Sequence, residues 1–432
     1  MKLDTGALRY LTSDDWRVLA AVEQGSKNHE LVPTPLIQQI AGLRGGSGTH
    51  KNISNLAKVG LIAKVKNAKY DGYRLTYGGL DYLALNTHRK SETIYSLGNQ
   101  IGVGKESDIY ITASPEGRQL VLKLHRLGRI SFRTVKANRD YLRNRSTGSW
   151  MYLSRLAAQK EHAFMRILHR EGFPVPEPVA WSRHTVVMEF IDAFPLRMID
   201  HVGDPGKLYA ELMEMIVRLA RRGLIHGDFN EFNILVKEVK NGDSVDLIPI
   251  LIDFPQMIST NHTNAQMYFD RDVEGVRRYF ERRLRYTSDE EGPFLEEALK
   301  GAKPEERLDV EVEASGFSRK MAKELERYVE TVGGDHSEAE AVDQQDEVSE
   351  GEDEINEAPE EHDETIEAGD DGVTHEAEGS DLAEQLDGLR VEDANLRAPA
   401  DFGLMPLELA TEDSSAATEK AKAKKKASGW SI

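Results

Sequence analysis

The sequence predicts an α+β protein with a small helical domain, a larger two-lobed domain and an acidic tail. Helical apolar stripes fill residues 8–60 and end in a short alternating hairpin. Strand-like apolar runs then precede longer amphipathic helices. Beyond about Val332 the chain has the acidic, aromatic-poor composition of a disordered segment. We therefore predict four regions: residues 1–86, 97–286, a helical extension at 287–330, and a tail at 331–432.

The charge of this chain is unevenly distributed. Of its 432 residues, the stretch Tyr328–Leu389 holds 24 acidic side chains and no Lys or Arg, whereas residues 1–327 carry a net charge of +5. A mildly basic body is compatible with a polyanionic partner such as RNA. No apolar run reaches the roughly 20 residues that span a bilayer, no signal segment is recognisable, and cysteine is absent. We therefore expect a cytosolic or nuclear protein without disulfides.

In the first region, the pattern of apolar residues and caps predicts three helices, in "TSDDWRVLAAVEQG", "PTPLIQQIAGL" and "GSGTHKNISNLAKVG". Two strands are predicted to follow, in "LIAKVK" and "YRLT". Three helices with a two-stranded wing are similar to a winged helix domain. The third helix and the wing would then present polar residues to nucleic acid. These candidate contacts are His50, Lys51, Asn52, Asn55, Lys64, Lys66 and Lys69. The alternative, a protein-docking module with ordinary solvated side chains, stays open.

A polar joint is predicted at residues 86–93, "NTHRKSET", before the second domain begins. Strands are expected at residues 109–111, 121–124 and in "TVVMEFI", and helices in "LSRLAAQKEHAFMRILHREG" and "KLYAELMEMIVRLARRG". Between about Leu124 and Leu153 lies a basic stretch with seven Arg or Lys and one acidic residue. We interpret it as a segment that contacts RNA or an acidic protein, or as a solvated loop.

The second domain contains the parts that phosphoryl transfer requires. The turn "GVGKES" predicts a cover for phosphates, formed by Gly102, Val103, Gly104, Lys105, Glu106 and Ser107. Lys123 lies among apolar residues in "LVLKL", where an ammonium needs a buried anion. ATP phosphates and the helix residue Glu161 would meet that need. The competing interpretation is that Lys123 reaches solvent along its stem and Glu161 is solvated.

Three further segments complete the predicted site. In the strand segment "VVMEFIDAF", which matches a hinge between kinase lobes, Met188 would close the rear of the nucleotide pocket. There the Glu189 carbonyl and the Ile191 amide would pair with adenine. In "HGDFNEFN", Asp228 would align the acceptor. Asn233 and Asp253 would bind a metal, since carboxylate and amide oxygens are ligands that Mg²⁺ prefers.

At "HGDFNEFNIL" and "LIDFP" the chain resembles the RIO family of atypical protein kinases. The preceding winged helix, "GVGKESDIY" and "YFDRDVEGVRRYF" resemble its second subfamily, over about residues 1–330. The resemblance implies an ATP- and Mg²⁺-dependent Ser/Thr kinase or ATPase. It further implies action in late maturation of the small (40S) ribosomal subunit, including final rRNA processing, with the pre-40S particle as partner. We expect a cytoplasmic protein that shuttles through the nucleus.

The same loops depart from regulated protein kinases, which carry His-Arg-Asp and Asp-Phe-Gly. Here Gly227 replaces the arginine that holds a phosphorylated activation loop, and Pro255 replaces the glycine that lets it swing. Only 15 residues separate Asp253 from Phe269, too few for a peptide platform. We therefore expect ATP hydrolysis to dominate, with any transient label an aspartyl phosphate on Asp253. Serine phosphorylation aligned by Asp228, with Ser131 or Ser146 as acceptor, is the alternative.

Two other functions remain open at this stage. His-Gly-Asp loops also occur in small-molecule phosphotransferases of the aminoglycoside and choline kinase type, and a pseudokinase scaffold would need loss of the Lys, Asp or Asn. The tail offers a leucine-rich pattern for a nuclear export receptor and a basic terminal tract, "KAKAKKK". The export pattern consists of Leu382, Leu386, Leu389 and Val391.

Overall fold

The computed structural model describes residues 3–43, 46–65, 71–127, 149–241, 244–314, 321–322, 325 and 405–406. The helices are α1 Ser13–Gly25, α2 Thr34–Ala41, α3 Gly46–Lys58, α4 Tyr77–Lys90, α5 Ser149–Arg170, α6 Pro205–Arg221, α7 Ala265–Arg283, α8 Leu295–Lys300 and α9 Leu308–Ala314. The strands are β1 Ile62–Val65, β2 Gly72–Leu75, β3 Ser96–Val103, β4 Ser107–Ala113, β5 Gln119–His125, β6 Pro178–Ser182, β7 Thr185–Glu189, β8 Phe194–Pro195, β9 Leu224–Ile225, β10 Ile234–Asn241, β11 Ser244–Leu251, β12 Ile258–Ser259 and β13 Met405–Pro406.

The N-terminal region is the expected set of three helices and a wing. Helix α1 begins with a capping box, in which the Thr12 hydroxyl accepts from the Asp15 amide and the Asp15 carboxylate accepts from Thr12. Strands β1 and β2 pair antiparallel to form the wing. The winged helix architecture predicted from the sequence is therefore confirmed.

Helix α4 corrects the sequence analysis. The segment predicted as a polar joint is the last part of this helix, and two of its residues, Asn86 and His88, are buried. The helix begins at a Thr76 cap. A Cβ at Gly79 would lie 2.1 Å from the Leu61 carbonyl oxygen, so the glycine allows the helix to pack directly on the wing. The prediction of a joint was wrong for residues 86–90, which are helical; Asn86 and His88 are buried there, and His88 contacts Thr185 of the second domain.

The upper lobe of the second domain is an antiparallel six-stranded sheet in the order β13-β3-β4-β5-β7-β6. Helix α5 packs against β5, β6 and β7. The strands predicted at residues 109–111, 121–124 and in "TVVMEFI", and the helix predicted after Leu153, are confirmed. This lobe positions the turn between β3 and β4 and the Lys123 side chain.

The lower lobe is mainly helical. Helices α6 and α7 pack on each other, and the hairpin β10–β11 is extended by the short strand β8. Strands β9 and β12 pair beside them, with Ile225 opposite Ile258. The helix predicted in "KLYAELMEMIVRLARRG" is α6, and α8 and α9 lie in the predicted extension. The loops that carry Asp228 and Asp253 lie at the strand ends of this lobe.

The hydrophobic cores do not follow the domain boundary in the sequence. One core joins Val22 and Leu83 of the N-terminal region to Leu122 and Val187 of the upper sheet. A second core fills the lower lobe and extends to helix α5 and strand β7 of the upper lobe. Helix α4 therefore belongs to both domains. Among the described residues no helix is long and apolar enough to cross a membrane.

Several predictions fall outside the described residues. Lys66 and Lys69 of the wing, residues 128–148 of the basic stretch and the four export-pattern residues belong to this group. The predictions made for them stand as predictions.

Candidate active site

The predicted Lys123–Glu161 pair is present at the centre of the upper lobe. The Nζ of Lys123 lies 2.7 Å from Oε1 of Glu161 and 2.8 Å from Oδ1 of Asp253. Burial opposes the charged ammonium, but these two carboxylates hold the pKa of Lys123 above its usual value. The interpretation with a solvent-reaching Lys123 is therefore wrong. The lysine already bridges the two lobes through Asp253.

His125 is a residue that the sequence analysis missed. Its Nε2 lies 2.6 Å from Oε2 of Glu161, and both side chains are buried. Residues two apart in a strand face the same side, so His125 follows Lys123 into the same space. The Glu161 carboxylate is thus held between the two, with one oxygen facing each partner.

Asp228 is fixed by amide side chains. Its carboxylate accepts hydrogen bonds from Asn230 at 2.8 Å, Asn233 at 2.9 Å and Gln256 at 3.2 Å. Burial and the nearby Asp253 raise the pKa of Asp228, although Arg271 and the amide donors oppose the shift. The sequence analysis missed Asn230 and Gln256. Together the donors orient the carboxylate before any substrate binds.

Helix α7 fixes the backbone around Asp228. The buried Asp272 carboxylate accepts from the amides of Gly227 at 2.8 Å and Phe229 at 3.0 Å. Burial raises the pKa of Asp272 to about 7 despite these two donors. At Gly275 a Cβ would lie 2.9 Å from the Phe229 carbonyl oxygen, so the helix touches the loop through bare backbone. In the sequence, only the family resemblance of "YFDRDVEG" pointed to this segment, and nothing in it predicted the contacts of Asp272 and Gly275 with the loop.

The geometry explains the glycine at the position where regulated kinases have arginine. Gly227 has φ 78°, and a Cβ there would lie 2.9 Å from the Gln256 carbonyl oxygen. A side chain is therefore excluded by both strain and space. The guanidinium of Arg271 donates to the Gly227 carbonyl instead and brings positive charge towards Asp228.

Asp253 occupies a strained backbone position. Its φ is 69°, which costs energy for a residue with a side chain and is frequent at functional sites. Burial opposes ionisation, but Lys123 holds the pKa of Asp253 below its usual value. Phe254 beside it is fully buried and meets the His226 ring edge-on at 5.9 Å. Burial lowers the pKa of His226 to about 4, so this ring is neutral packing at physiological pH.

The turn between β3 and β4, residues 102–107, is the glycine loop predicted as a phosphate cover. Val103 is 59% exposed, and Gly104 and Lys105 are also exposed, whereas Glu106 and Ser107 are half-buried. The Gly104 amide donates to the Ser107 carbonyl at 2.7 Å. Burial and the charge of Asp253 raise the pKa of Glu106 to about 7.

The predicted hinge lies where expected, at the end of β7. Met188 is buried and pairs with Val121 of β5. The Glu189 amide donates to the Glu177 carbonyl at 2.9 Å, and Ile191 follows after the strand. The roles proposed for the Glu189 carbonyl and the Ile191 amide stay predictions.

The candidate nucleic-acid contacts that the structure describes are exposed or half-buried side chains of the winged helix domain. His50, Lys51 and Asn55 of α3 are exposed and Asn52 is half-buried, as expected. Lys64 on the wing is exposed and lies 3.5 Å from Asp71. Contact with nucleic acid stays a prediction. Arg126 from the predicted basic stretch is an exception, because its side chain is 2% exposed and bonded inside the protein.

The residues fit a nucleotide with a divalent cation. Asp253 offers a carboxylate beside Lys123, and the Asn233 Nδ2 donates to both the backbone and the side chain of Asp228 at 2.9 Å. That orientation leaves the Asn233 carbonyl oxygen for a cation. Two hard oxygen ligands are typical of Mg²⁺ sites that phosphates and waters complete.

Comparisons with known proteins match this architecture. A family model described as the RIO domain matches residues 108–292, and one described as Rio2, N-terminal matches residues 8–91. The serine/threonine-protein kinase rio2 of Schizosaccharomyces pombe is 58% identical over 328 residues, 76% of this chain and 92% of that protein. The serine/threonine-protein kinase RIO2 of Saccharomyces cerevisiae is 53% identical, over 74% of this chain and 78% of that protein.

Solved structures of Rio2 kinases are similar to this chain in fold and sequence. A crystal structure of the Rio2 kinase-ADP/Mg²⁺-phosphoaspartate complex from Chaetomium thermophilum has 63% identity and a TM-score of 0.72, covering 77% of this chain and all of that chain. Another crystal structure of the Rio2 kinase from this organism has 61% identity and a TM-score of 0.71, with 78% and 100% coverage. The intact Lys123, Asp228, Asn233 and Asp253 argue against a pseudokinase. The chain belongs to the Rio2 family of RIO-type atypical serine/threonine-protein kinases.

Proposed function

We propose that this protein uses ATP and Mg²⁺ as an atypical Ser/Thr kinase and ATPase in cytoplasmic late maturation of the 40S subunit and final processing of its rRNA. ATP turnover would drive its release from the pre-40S particle. The observation that carries the enzymatic part is Lys123, which contacts both Glu161 and Asp253 while Asp228 is already oriented. The Chaetomium relative crystallised with ADP, Mg²⁺ and phosphoaspartate supports it.

Each residue has a distinct task in this proposal. Lys123 holds the phosphates, Glu161 holds Lys123, and Asp253 and Asn233 bind Mg²⁺. When bound, Mg²⁺ neutralises charge on the phosphates. The glycine loop covers them and excludes water. Asp228 controls the attacking group, and its raised pKa suits a group that accepts a proton.

For the hydrolytic route, a carboxylate oxygen of Asp253 attacks the γ-phosphorus. The bond from that phosphorus to the β–γ bridging oxygen breaks, and ADP departs with the electron pair. A water oriented by Asp228 then attacks the phosphorus of the aspartyl phosphate and gives up a proton to the Asp228 carboxylate. The phosphorus–oxygen bond breaks, so inorganic phosphate leaves and the Asp253 carboxylate is restored. The left-handed backbone at Asp253 turns its side chain into the cleft beside Lys123.

Single-turnover labelling with γ-labelled ATP tests this route. We expect mainly phosphate release, with a transient label that hydroxylamine removes and that maps to Asp253. Asp253→Asn should abolish label and turnover, and Asp228→Asn should slow decay of the label. A stable serine label formed as fast as ATP is consumed would instead establish Asp228 as the base of an ordinary kinase. Full turnover in a double Asp228→Ala, Asp253→Ala variant would exclude the site altogether.

For the pre-40S particle, the exposed α3 and wing residues support an RNA contact. Lys51→Glu with Lys64→Glu should weaken RNA binding and flatten its salt dependence, because two phosphate contacts are lost. The matched control is Lys207→Glu with Lys303→Glu, two lysines with side chains 55% and 62% exposed on the lower part of the protein. Equal effects of both pairs, or none, would favour a protein-docking role for the winged helix.

We infer cytoplasmic residence with nuclear shuttling, based on the export pattern in the tail. An export receptor would bind Leu382, Leu386, Leu389 and Val391, which lie outside the described residues. Leu386→Ala with Leu389→Ala should cause nuclear accumulation in living cells. If this double variant stays in the cytoplasm like the wild type, shuttling through this segment is contradicted.

A further inference from the structure

The end of strand β5 sends successive side chains in opposite directions. Lys123 and His125 face Glu161 in the active site, as strand alternation requires. Arg126, directly after the strand, points instead to helix α4 of the winged helix domain, where it meets Asp81. One short segment therefore touches both the phosphate-binding lysine and the N-terminal domain.

Arg126 is the centre of a buried ionic network. Its two terminal nitrogens donate to Asp81 at 2.6 and 2.8 Å, and its Nε donates to Asp108 of β4 at 3.0 Å. His184 Nε2 lies 2.8 Å from Oδ1 of Asp81, the oxygen that also accepts from one Arg126 nitrogen. Burial opposes ionisation of Asp81, yet His184 and Arg126 keep its pKa below the usual value. A buried charge that loses its partner is strongly unfavourable, so these groups must stay together.

The same residue holds the glycine loop. The Arg126 amide donates to the Glu106 carbonyl at 2.6 Å, and Asp108 directly follows the loop. Gln100 of β3 donates to Asp108 at 3.3 Å, which ties in the other limb of the hairpin. Both limbs of the glycine loop are thus anchored, through Arg126, on a carboxylate of helix α4.

We propose that Arg126 is a positioning residue that fixes the glycine loop for nucleotide and makes its geometry depend on the docking of helix α4 through Asp81. The inference rests on the proposed nucleotide site. A displacement of the winged helix domain would then loosen the phosphate cover without touching Asp228 or Asp253. Coupling of this kind is reciprocal, so bound nucleotide strengthens the docking of α4.

A second contact between the same two domains supplies the matched control. Arg183, in the turn between β6 and β7, donates to Glu23 of α1 at 2.6 and 2.9 Å and to Thr87 of α4 at 2.8 Å. Its remaining hydrogen bonds within the described parts of the chain go to the Leu83 carbonyl and the Ser182 hydroxyl, away from the glycine loop. Glu23→Gln therefore alters a contact of α1 with the sheet and leaves the docking of α4 through Asp81 and Arg126 intact.

The test compares Arg126→Gln, Asp81→Asn and Glu23→Gln in the full chain. Titration with Mg·ADP measures affinity, steady-state kinetics separate KM for ATP from kcat, and hydrogen exchange of residues 102–107 is followed without nucleotide. We expect Arg126→Gln and Asp81→Asn to weaken Mg·ADP about tenfold, to raise KM with little change in kcat, and to speed exchange in the loop. Glu23→Gln should match the wild type in all three.

Two outcomes overturn the inference. Wild-type affinity and exchange in a folded Asp81→Asn protein would show that the network does not position the loop, and this milder variant decides if Arg126→Gln fails to fold. Equal losses in Glu23→Gln and Asp81→Asn would assign the effect to domain docking in general. If the wild type itself does not bind Mg·ADP, the proposed function fails, whereas the exchange comparison still decides the role of Arg126.

Discussion

The catalytic loop, residues 226–233, and the glycine loop face the same cleft but are held in opposite ways. The catalytic loop is largely buried, with Asp272 on its amides and the bare backbone of Gly275 against it. The glycine loop exposes Val103 and Lys105 and is anchored from behind by Arg126. The groups that do chemistry are therefore fixed in advance, while the part that admits and releases nucleotide is adjustable.

Of the changes considered, loss of the Asp272 carboxylate that holds the catalytic loop should have the largest effect on stability and on kcat. Asp272→Ala leaves two buried amides without an acceptor, at about 1–3 kcal/mol each, and frees the backbone beside Asp228. We expect the free energy of unfolding in urea to fall accordingly and kcat to fall about a hundredfold, with KM for ATP little changed. Asp272→Asn, which retains one acceptor, should be intermediate. Unchanged kcat in the Ala variant would mean that the catalytic loop holds its own shape.

Gly275→Ala tests the close contact of α7 with the catalytic loop. The new Cβ, 2.9 Å from the Phe229 carbonyl, forces backbone to move, which costs about 1–3 kcal/mol of stability and should lower kcat several-fold. Gly78→Ala in helix α4 is the control, because its nearest neighbours would be 3.7 Å away. That variant should be neutral or slightly stabilised. Equal melting temperatures for the two would refute the tight fit.

His88 makes the anchor of the glycine loop sensitive to acid. Its Nε2 lies 2.8 Å from the Thr185 hydroxyl, and burial, with His184 and Arg183 adding, lowers the pKa of His88 to about 4. The unfolded chain binds more protons here between pH 6.5 and 4. The stability is therefore complete above pH 6.5 and is lost as the pH falls towards 4.

The matched variant is His88→Gln, which can still bond Thr185 but does not titrate. Urea unfolding at pH 7 and 5.5 should show that the wild type loses about 1 kcal/mol more than the variant. Parallel pH profiles would show that protonation of His88 does not affect docking of α4.

The smallest effect on activity is expected for Lys105, an exposed residue of the glycine loop. Lys105→Ala removes one solvated phosphate contact, so KM for ATP should rise about threefold, in line with exposed ion pairs. The melting temperature and kcat should stay at wild-type values. A large loss of kcat would place Lys105 among the fixed groups instead.

The sequence was sufficient for most of the elements and for the Lys123–Glu161 pair, but not for helix α4 or for the residues that support the site. Lys123 and Glu161 could be paired because an apolar strand around an ammonium demands an anion. Asp272 could not be assigned, since periodicity shows that a residue faces inward without showing which amides it meets. Arg126 looked like one more member of a basic stretch. Helix α4 was hidden by two glycines at its start and polar residues at its end.

The shared core of the winged helix domain and the upper lobe bears on how this protein unfolds and how it can be cut. Val22 and Leu83 lie in one cluster with Leu122 and Val187, so the cooperative unit extends across the boundary that the sequence suggests. A truncation that begins near residue 92 would leave apolar side chains of the upper sheet, such as Leu122 and Val187, without their N-terminal partners. The two lobes also share a core, which joins Phe164 and Met188 of the upper lobe to the lower lobe. An isolated second domain is therefore expected to expose an apolar patch and to aggregate.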